Sequence, residues 1–264
     1  MKTQNWILFL AMAVVLALAG CGKQEEPPPA PTTATAPAPA PTPIDPATVG
    51  EVTGKISLEG ASPAPHVINM EQDPDCVQKH AGKPVYAEDD RVNDNGTLPN
   101  VFVYVKSGAE KYVFFAPEEP VILDQSGCMY VPHVLGIMAG QVLKITNSDT
   151  TTHNIHPMPK ANREWNMSQL PGASPIQQKF VRPEVMMPVK CNQHAWMRAW
   201  VGVMSNPFFA VSGADGTYTL KGLPPGAYTI EAWSALGGTP QTQDLTVTLG
   251  PKETKTANFK FHAP

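Results

Sequence analysis

Cys191, His194 and Met197 fall in one short stretch, Cys191-Asn192-Gln193-His194-Ala195-Trp196-Met197, at a C-x2-H-x2-M spacing. A thiolate, an imidazole and a thioether together suit copper: thiolate and thioether favour Cu(I), and imidazole accepts both oxidation states. A centre of this kind needs one more strong ligand, normally a second histidine from elsewhere in the chain. The upstream candidate is His153, in the run Thr146-Asn147-Ser148-Asp149-Thr150-Thr151-Thr152-His153-Asn154-Ile155-His156. Two imidazoles and a thiolate in a plane, with a long and weak thioether bond, give a blue-copper electron-transfer arrangement. Each of these residue types, alone on an apolar strand, is ordinarily a packing residue. It is the order and spacing of the four that favour a metal. His156 lies three residues after His153, so on a regular strand the two side chains point to opposite faces. His156 is therefore expected outside the ligand set, next to it or at the surface.

The ligand loop lies between two strand-like runs, Glu184–Lys190 and Arg198–Met204. His153 follows Gly140-Gln141-Val142-Leu143-Lys144-Ile145-Thr146-Asn147, which also reads as a strand. The order of this strand, His153-Asn154-Ile155-His156, the Cys191, His194, Met197 loop and the strand after it resembles the cupredoxins. The loop spacing is that of amicyanin, and plastocyanin is a more distant likeness. The resemblance covers roughly Pro120 to Met204, about a third of the chain. It implies one type 1 copper held by His153, Cys191, His194 and Met197, with Asn154 helping to tie the two ligand loops together. It also implies that His194 is an electron port, its ring edge exposed in an apolar patch that Ala195, Trp196, Pro157 and Met158 would supply.

The chain has 264 residues, of which 16% are charged, with a net charge of −4. That leaves no basic field for a nucleic acid, and none is expected as a partner. Twenty Gly and 29 Pro, spaced between short apolar runs, favour an all-β protein. Val49–Gly60 alternates apolar and polar residues over much of its length, and Val101-Phe102-Val103-Tyr104-Val105 is a second strong strand. Between them, Ala61–Asn100 is irregular. In the C-terminal part, Asp215-Gly216 is a tight turn before an alternating strand, and Pro224-Pro225-Gly226 is a second turn before Ala227–Trp233. Leu245–Leu249 and Thr254–Phe261 close the chain with two more strands. This pattern resembles the carboxypeptidase regulatory-like (transthyretin-like, Cna-B-like) β-sandwich, in which two leading strands precede the Asp-Gly turn directly. Here about a hundred residues intervene and hold the copper motif. The expected fold is thus a cupredoxin Greek-key β-sandwich (117–205) inserted into a discontinuous transthyretin-like β-sandwich (49–116 and 206–264). An arrangement in series, with Glu51–Val105 an extension of the cupredoxin, is the alternative.

Residues 1–20 read as a targeting segment: Lys2, then an apolar core from Trp6 to Leu18 that is short for a transmembrane helix. Leu18-Ala19-Gly20-Cys21 reads as a lipobox, so Cys21 is expected to carry the lipid that anchors the chain to a membrane. With Gly22 next and no Asp there, the expected place is a bacterial outer membrane facing the periplasm, or the cell surface. Gly22–Thr48 is rich in Pro, Ala and Thr and reads as a semi-rigid tether.

Four cysteines remain to be assigned. With Cys21 to lipid and Cys191 to metal, Cys76 and Cys128 are expected to pair in an oxidising compartment. The competing reading is a second metal site, because Cys76 and Cys128 are each followed closely by a histidine, His80 and His133. Without a C-x-x-C-H there is no attachment motif for a c-type haem. Lys190 and Asn192 flank Cys191, where multicopper oxidases carry histidines, so the expectation is a redox carrier rather than an enzyme, served by a partner such as a c-type cytochrome or a periplasmic dehydrogenase. Two rival functions remain. Eight of the 11 methionines lie between Met129 and Met204, which would suit a copper carrier if they were exposed, and a metal-free carbohydrate- or protein-binding module would need no ligand at all.

Overall fold

The computed structural model describes residues 40–263. The expected signal segment, Cys21 and most of the expected tether lie outside the described residues. Strand β1 (Gly50–Glu59) is followed by an irregular stretch that contains one short α-helix, α1 (Pro74–Lys79), and a single 3-10 turn (Glu88–Asp90), and then by β2 (Phe102–Ser107). The middle of the chain supplies β3 (Val121–Ser126), β4 (Met129–Val131), β5 (Val134–Met138), β6 (Val142–Asn147), β7 (His153–Pro157), β8 (Met167–Gln169), β9 (Ile176–Lys179), β10 (Glu184–Lys190) and β11 (Arg198–Met204). The end supplies β12 (Phe209–Val211), β13 (Thr217–Leu223), β14 (Gly226–Ser234), β15 (Gln241–Leu249), β16 (Thr254–Thr256) and β17 (Phe259–His262).

The protein is all-β, built as two β-sandwiches. In the middle sandwich the sheet β5-β11-β10-β7-β8 packs on the sheet β4-β3-β6-β9. Its core comes from inward positions of alternating strands, among them Leu123, Leu143, Ile145, Ile155, Val189, Val201 and Val203. In the other sandwich β1 pairs with β13 on one side and with β16 and β17 on the other, while β2 lies between β12 and β14, with β15 beyond. Both early strands therefore pair with strands from the C-terminal part of the chain, not with the middle strands. Thr254–Phe261 is divided into β16 and β17 because Ala257 N–H and the Asn258 side chain turn inward to bond the β1 backbone at Thr53 and Lys55.

Strand β2 is buried on both faces, as its unbroken apolar run requires. Val101, Val103 and Val105 point into the core shared with Val52, Ile56, Tyr228 and Phe259. Phe102 and Tyr104 point the other way, into a third apolar cluster with Val134, Met186, Met204 and Trp233. That cluster joins the two sandwiches, and glycine makes it possible. Gly136 on β5 and Gly202 on β11 are partners in the sheet. A Cβ at Gly136 would stand 2.5 Å from the Phe209 ring, and one at Gly202 would stand 2.6 Å from the Phe102 ring. The bare backbone is the floor on which these two rings lie.

Candidate metal centre

The site lies at one end of the middle sandwich, where β7 begins and where β10 turns into β11. Strand β7 runs antiparallel to β10, with Lys190 opposite His156 and Val189 opposite Pro157. The pairing brings the start of β7 beside the residue that follows β10, Cys191. The Cys191–Met197 loop is closed on itself: Cys191 N–H donates to the Met197 carbonyl at 3.2 Å, and Met197 N–H donates to the His194 carbonyl at 2.9 Å. Asn154 spans the two segments, since its side-chain oxygen accepts from Asn192 N–H at 3.1 Å.

The structure brings His153, Cys191 and His194 together, with one nitrogen of each ring and the Cys191 Sγ all within 4.8 Å of one another. All three side chains are buried. Met197 is wholly buried in the same core region. His156 stays outside the group: its Nδ1 meets the Asn192 side chain at 3.1 Å and its Nε2 meets Glu164 at 2.6 Å.

Two carboxylates orient the rings. Asp149 lies 2.8 Å from His153 Nε2, and Asp73 lies 2.8 Å from His194 Nε2. Hydrogen bonds hold both carboxyls below the usual carboxylate range. For Asp73 the largest cause is His194. For Asp149, burial pushes upward but is outweighed by His153, the Cys128 N–H, Lys79 and the Gly127 N–H. An ionised carboxylate can only accept, so each Nε2 carries the proton and each Nδ1 is left as a lone pair. The two Nδ1 atoms face each other at 3.0 Å, a separation that two lone pairs tolerate only with a cation between them. Cys191 Sγ is 3.7 Å from His194 Nδ1 and accepts from the backbone N–H groups of Asn154 and His194, each at 3.4 Å.

Burial opposes charge on His153, but Asp149 and Cys191 outweigh it and push the imidazole up to about 9. Burial likewise opposes the Cys191 thiolate, but His153 and three backbone N–H groups bring it down to about 7. The donor set therefore fits a soft, thiolate-binding metal ion: a buried sulfur whose ionisation is eased and two imidazole nitrogens fixed from behind.

The disulfide frames the centre. Cys76 on α1 and Cys128 are bonded at 2.04 Å, so the second metal site weighed for these cysteines does not form. His80 instead donates to the Gly127 carbonyl, and His133 is buried against Asp89 and the Arg198 carbonyl. Around the disulfide, Asp73 caps α1 through Asp75 N–H and Cys76 N–H while its other oxygen holds His194. Lys79, at the other end of α1, pairs with Asp149 at 2.9 Å. Cys128 N–H donates to Asp149 at 2.7 Å.

One expectation is corrected, and one rival reading loses its support. His194 has no exposed ring edge: it is 4% exposed and its outer nitrogen is taken by Asp73. Pro157, expected in a surface patch, is also buried. The methionines are not an exposed array either. Met186 and Met204 fill the cluster between the sandwiches, Met187 and Met197 fill the middle core, and Met138 is buried as well. Sequence reasoning missed Asp149 and Asp73. Asp149 had a signal, an acid four residues before a ligand candidate; Asp73 lies 121 positions from His194 and had none.

The family model for the carboxypeptidase regulatory-like domain matches residues 204–262. No curated protein matches the chain. Among solved structures, the chain is similar to a copper-containing nitrite reductase from Thermus scotoductus SA-01, at 19% identity over 39% of this chain and 25% of that one, with a TM-score of 0.31. It spans only that quarter of the nitrite reductase. It is also similar to a purple cupredoxin from Nitrosopumilus maritimus, at 22% identity over 32% of this chain and 98% of that one, TM-score 0.27. A reduced amicyanin variant gives 16% identity over 39% of this chain and 98% of that one, TM-score 0.30. The family model thus spans strands β12 to β17.

Proposed function

We propose that this protein binds one type 1 copper and carries single electrons. The observation that carries the reading is the pair of Nδ1 lone pairs facing each other at 3.0 Å beside a buried thiolate, each ring locked from behind by a carboxylate. His153, Cys191 and His194 would be the strong ligands and Met197 the weak one. When bound, copper supplies a one-electron couple at a soft site of this kind. The chain's own residues keep that site rigid. Asp149 and Asp73 fix the rings, the Asn154 and His194 N–H groups hold the sulfur, and the buried core excludes water.

The rest of the chain serves this role. The carboxypeptidase regulatory-like sandwich, formed by 49–116 and 206–264, positions the copper domain, 117–205, inserted within it. Lipid on Cys21 holds the protein at a bacterial membrane, at the outer membrane facing the periplasm or at the cell surface, and the tether lets the folded part reach a redox partner such as a c-type cytochrome or a periplasmic dehydrogenase. The carrier alternative loses its main support because most of the clustered methionines are buried.

The test is a metal titration of the metal-free, disulfide-intact protein with Cu(II) and, anaerobically, Cu(I). One ion per chain in each state is expected, with binding abolished in Cys191→Ser and strongly weakened in His153→Ala and His194→Ala. Binding that survives Cys191→Ser, or several Cu(I) ions per chain, contradicts the reading.

A further inference from the structure

The edge through which a loop histidine would meet a redox partner is closed in this protein. Asp73 lies 2.8 Å from His194 Nε2, and it cannot swing away freely. Its other oxygen accepts from Asp75 N–H at 3.0 Å and Cys76 N–H at 3.1 Å, and Cys76 is joined to Cys128 by the disulfide. One neighbour of His194 does reach outward. The Trp196 ring lies 5.1 Å from the His194 ring, at 45°. Its indole N–H is fixed to the Cys128 carbonyl at 3.0 Å. Trp196 is half-buried, and it lines an open cavity of about 460 Å³ together with Met129, His133, Ala195, Asp89 and His66.

Resting on the copper reading, we propose that electrons enter and leave the centre through the indole of Trp196, from this cavity, and that Asp73 shuts the His194 edge. Electronic coupling falls steeply across gaps and is carried best by contiguous packed atoms. The path from His194 through Trp196 is packed and ends at an open surface, whereas the path through the His194 edge ends in a carboxylate fixed to α1. One electron passes from a reductant in the cavity to the oxidised metal. The indole acts as a bridge and is left unchanged. The port is thereby moved from the ligand itself to the residue two positions on, and the cavity selects what approaches it.

The test uses the copper-loaded protein and hexaammineruthenium(II) as reductant, followed by stopped flow, with the visible spectrum and reduction potential recorded for each variant. Trp196→Leu is expected to slow reduction by about an order of magnitude, Trp196→Phe to retain most of the rate, and Asp73→Ala to raise it by opening a second path. His66→Trp, which narrows the cavity without replacing a residue of the ligand loop, is expected to slow reduction as well. It decides the matter if Trp196→Leu disturbs the spectrum. Unchanged rates in both Trp196→Leu and His66→Trp overturn the proposal. A second readout needs no metal: the His194 Nε2–H proton of the metal-free protein should exchange slowly with water by NMR and rapidly in Asp73→Ala. Rapid exchange in the unmodified chain means the edge is open and also overturns it. Failure of the copper reading is distinct, since the unmodified protein then gives no copper spectrum at all.

Discussion

Replacing Asp149 by Asn keeps its shape and removes its charge, and the structure gives the size of the effect. The Asp149 side chain is 1% exposed. One oxygen accepts from Gly127 N–H at 2.8 Å and from Lys79 at 2.9 Å, and the other accepts from Cys128 N–H at 2.7 Å and from His153 Nε2–H at 2.8 Å. Whichever way the amide is turned, an NH2 group faces two donors, and those two lose their acceptor. A buried donor left unsatisfied costs about 1–3 kcal/mol. Lys79 is 25% exposed and can turn to water, so its share is small. The amide therefore settles with its NH2 toward Gly127 and Lys79, and the expected loss is about 1–3 kcal/mol, that of the one buried donor left without an acceptor. The assay is urea unfolding of the metal-free, oxidised protein, with the change read from the midpoint at constant slope. A loss below about 1 kcal/mol would refute the reasoning, because it would mean that the four bonds to Asp149 are no better than bonds to water.

Three further outcomes are expected. Cys191 titrates near 7 in the metal-free protein instead of 9.0, and His153 near 9 instead of 6.5. The thiolate's contribution to stability is therefore complete above its unfolded value and lost as pH falls through about 7, whereas that of the His153 imidazolium is complete below its unfolded value and lost as pH rises through about 9. Thiolate absorbance in the ultraviolet should show a midpoint near 7 that moves upward in His153→Asn; an unmoved midpoint contradicts the pairing. Replacing Cys76 and Cys128 together by Ala opens a link that spans 52 positions. It should cost about 2–5 kcal/mol in urea unfolding, and also weaken copper binding through the loosened α1. Gly202→Ala puts a Cβ 2.6 Å from the Phe102 ring; it should cost about 1–3 kcal/mol and be partly restored by Phe102→Leu in the double variant.

Much of this was legible in the chain. Strands β10 and β11 fall where the sequence placed them, because each is a short, nearly unbroken apolar run that ends in a charged residue at the ligand loop. Cys76 and Cys128 pair as elimination suggested. Less legible was what lies behind the ligands. Asp73 and Lys79 belong to a stretch without periodicity, carried to the centre by the disulfide, by the His80 bond to Gly127 and by Ile68 and Met70 in the middle core, so local pattern could not reveal them. The burial of His194 follows from the same stretch folding over the loop. The cluster between the sandwiches was half visible: the unbroken run Phe102-Val103-Tyr104-Val105 signals a strand buried on both faces, but the rings' resting places, Gly136 and Gly202, depend on a register between distant strands.

The most direct test of the central claim is the visible spectrum of the copper-loaded protein through a full redox cycle. The account predicts an intense thiolate-to-copper band that bleaches with one electron per chain, returns on reoxidation, and is missing in Cys191→Ser. Copper bound without that band, or a band that persists in Cys191→Ser, would contradict it.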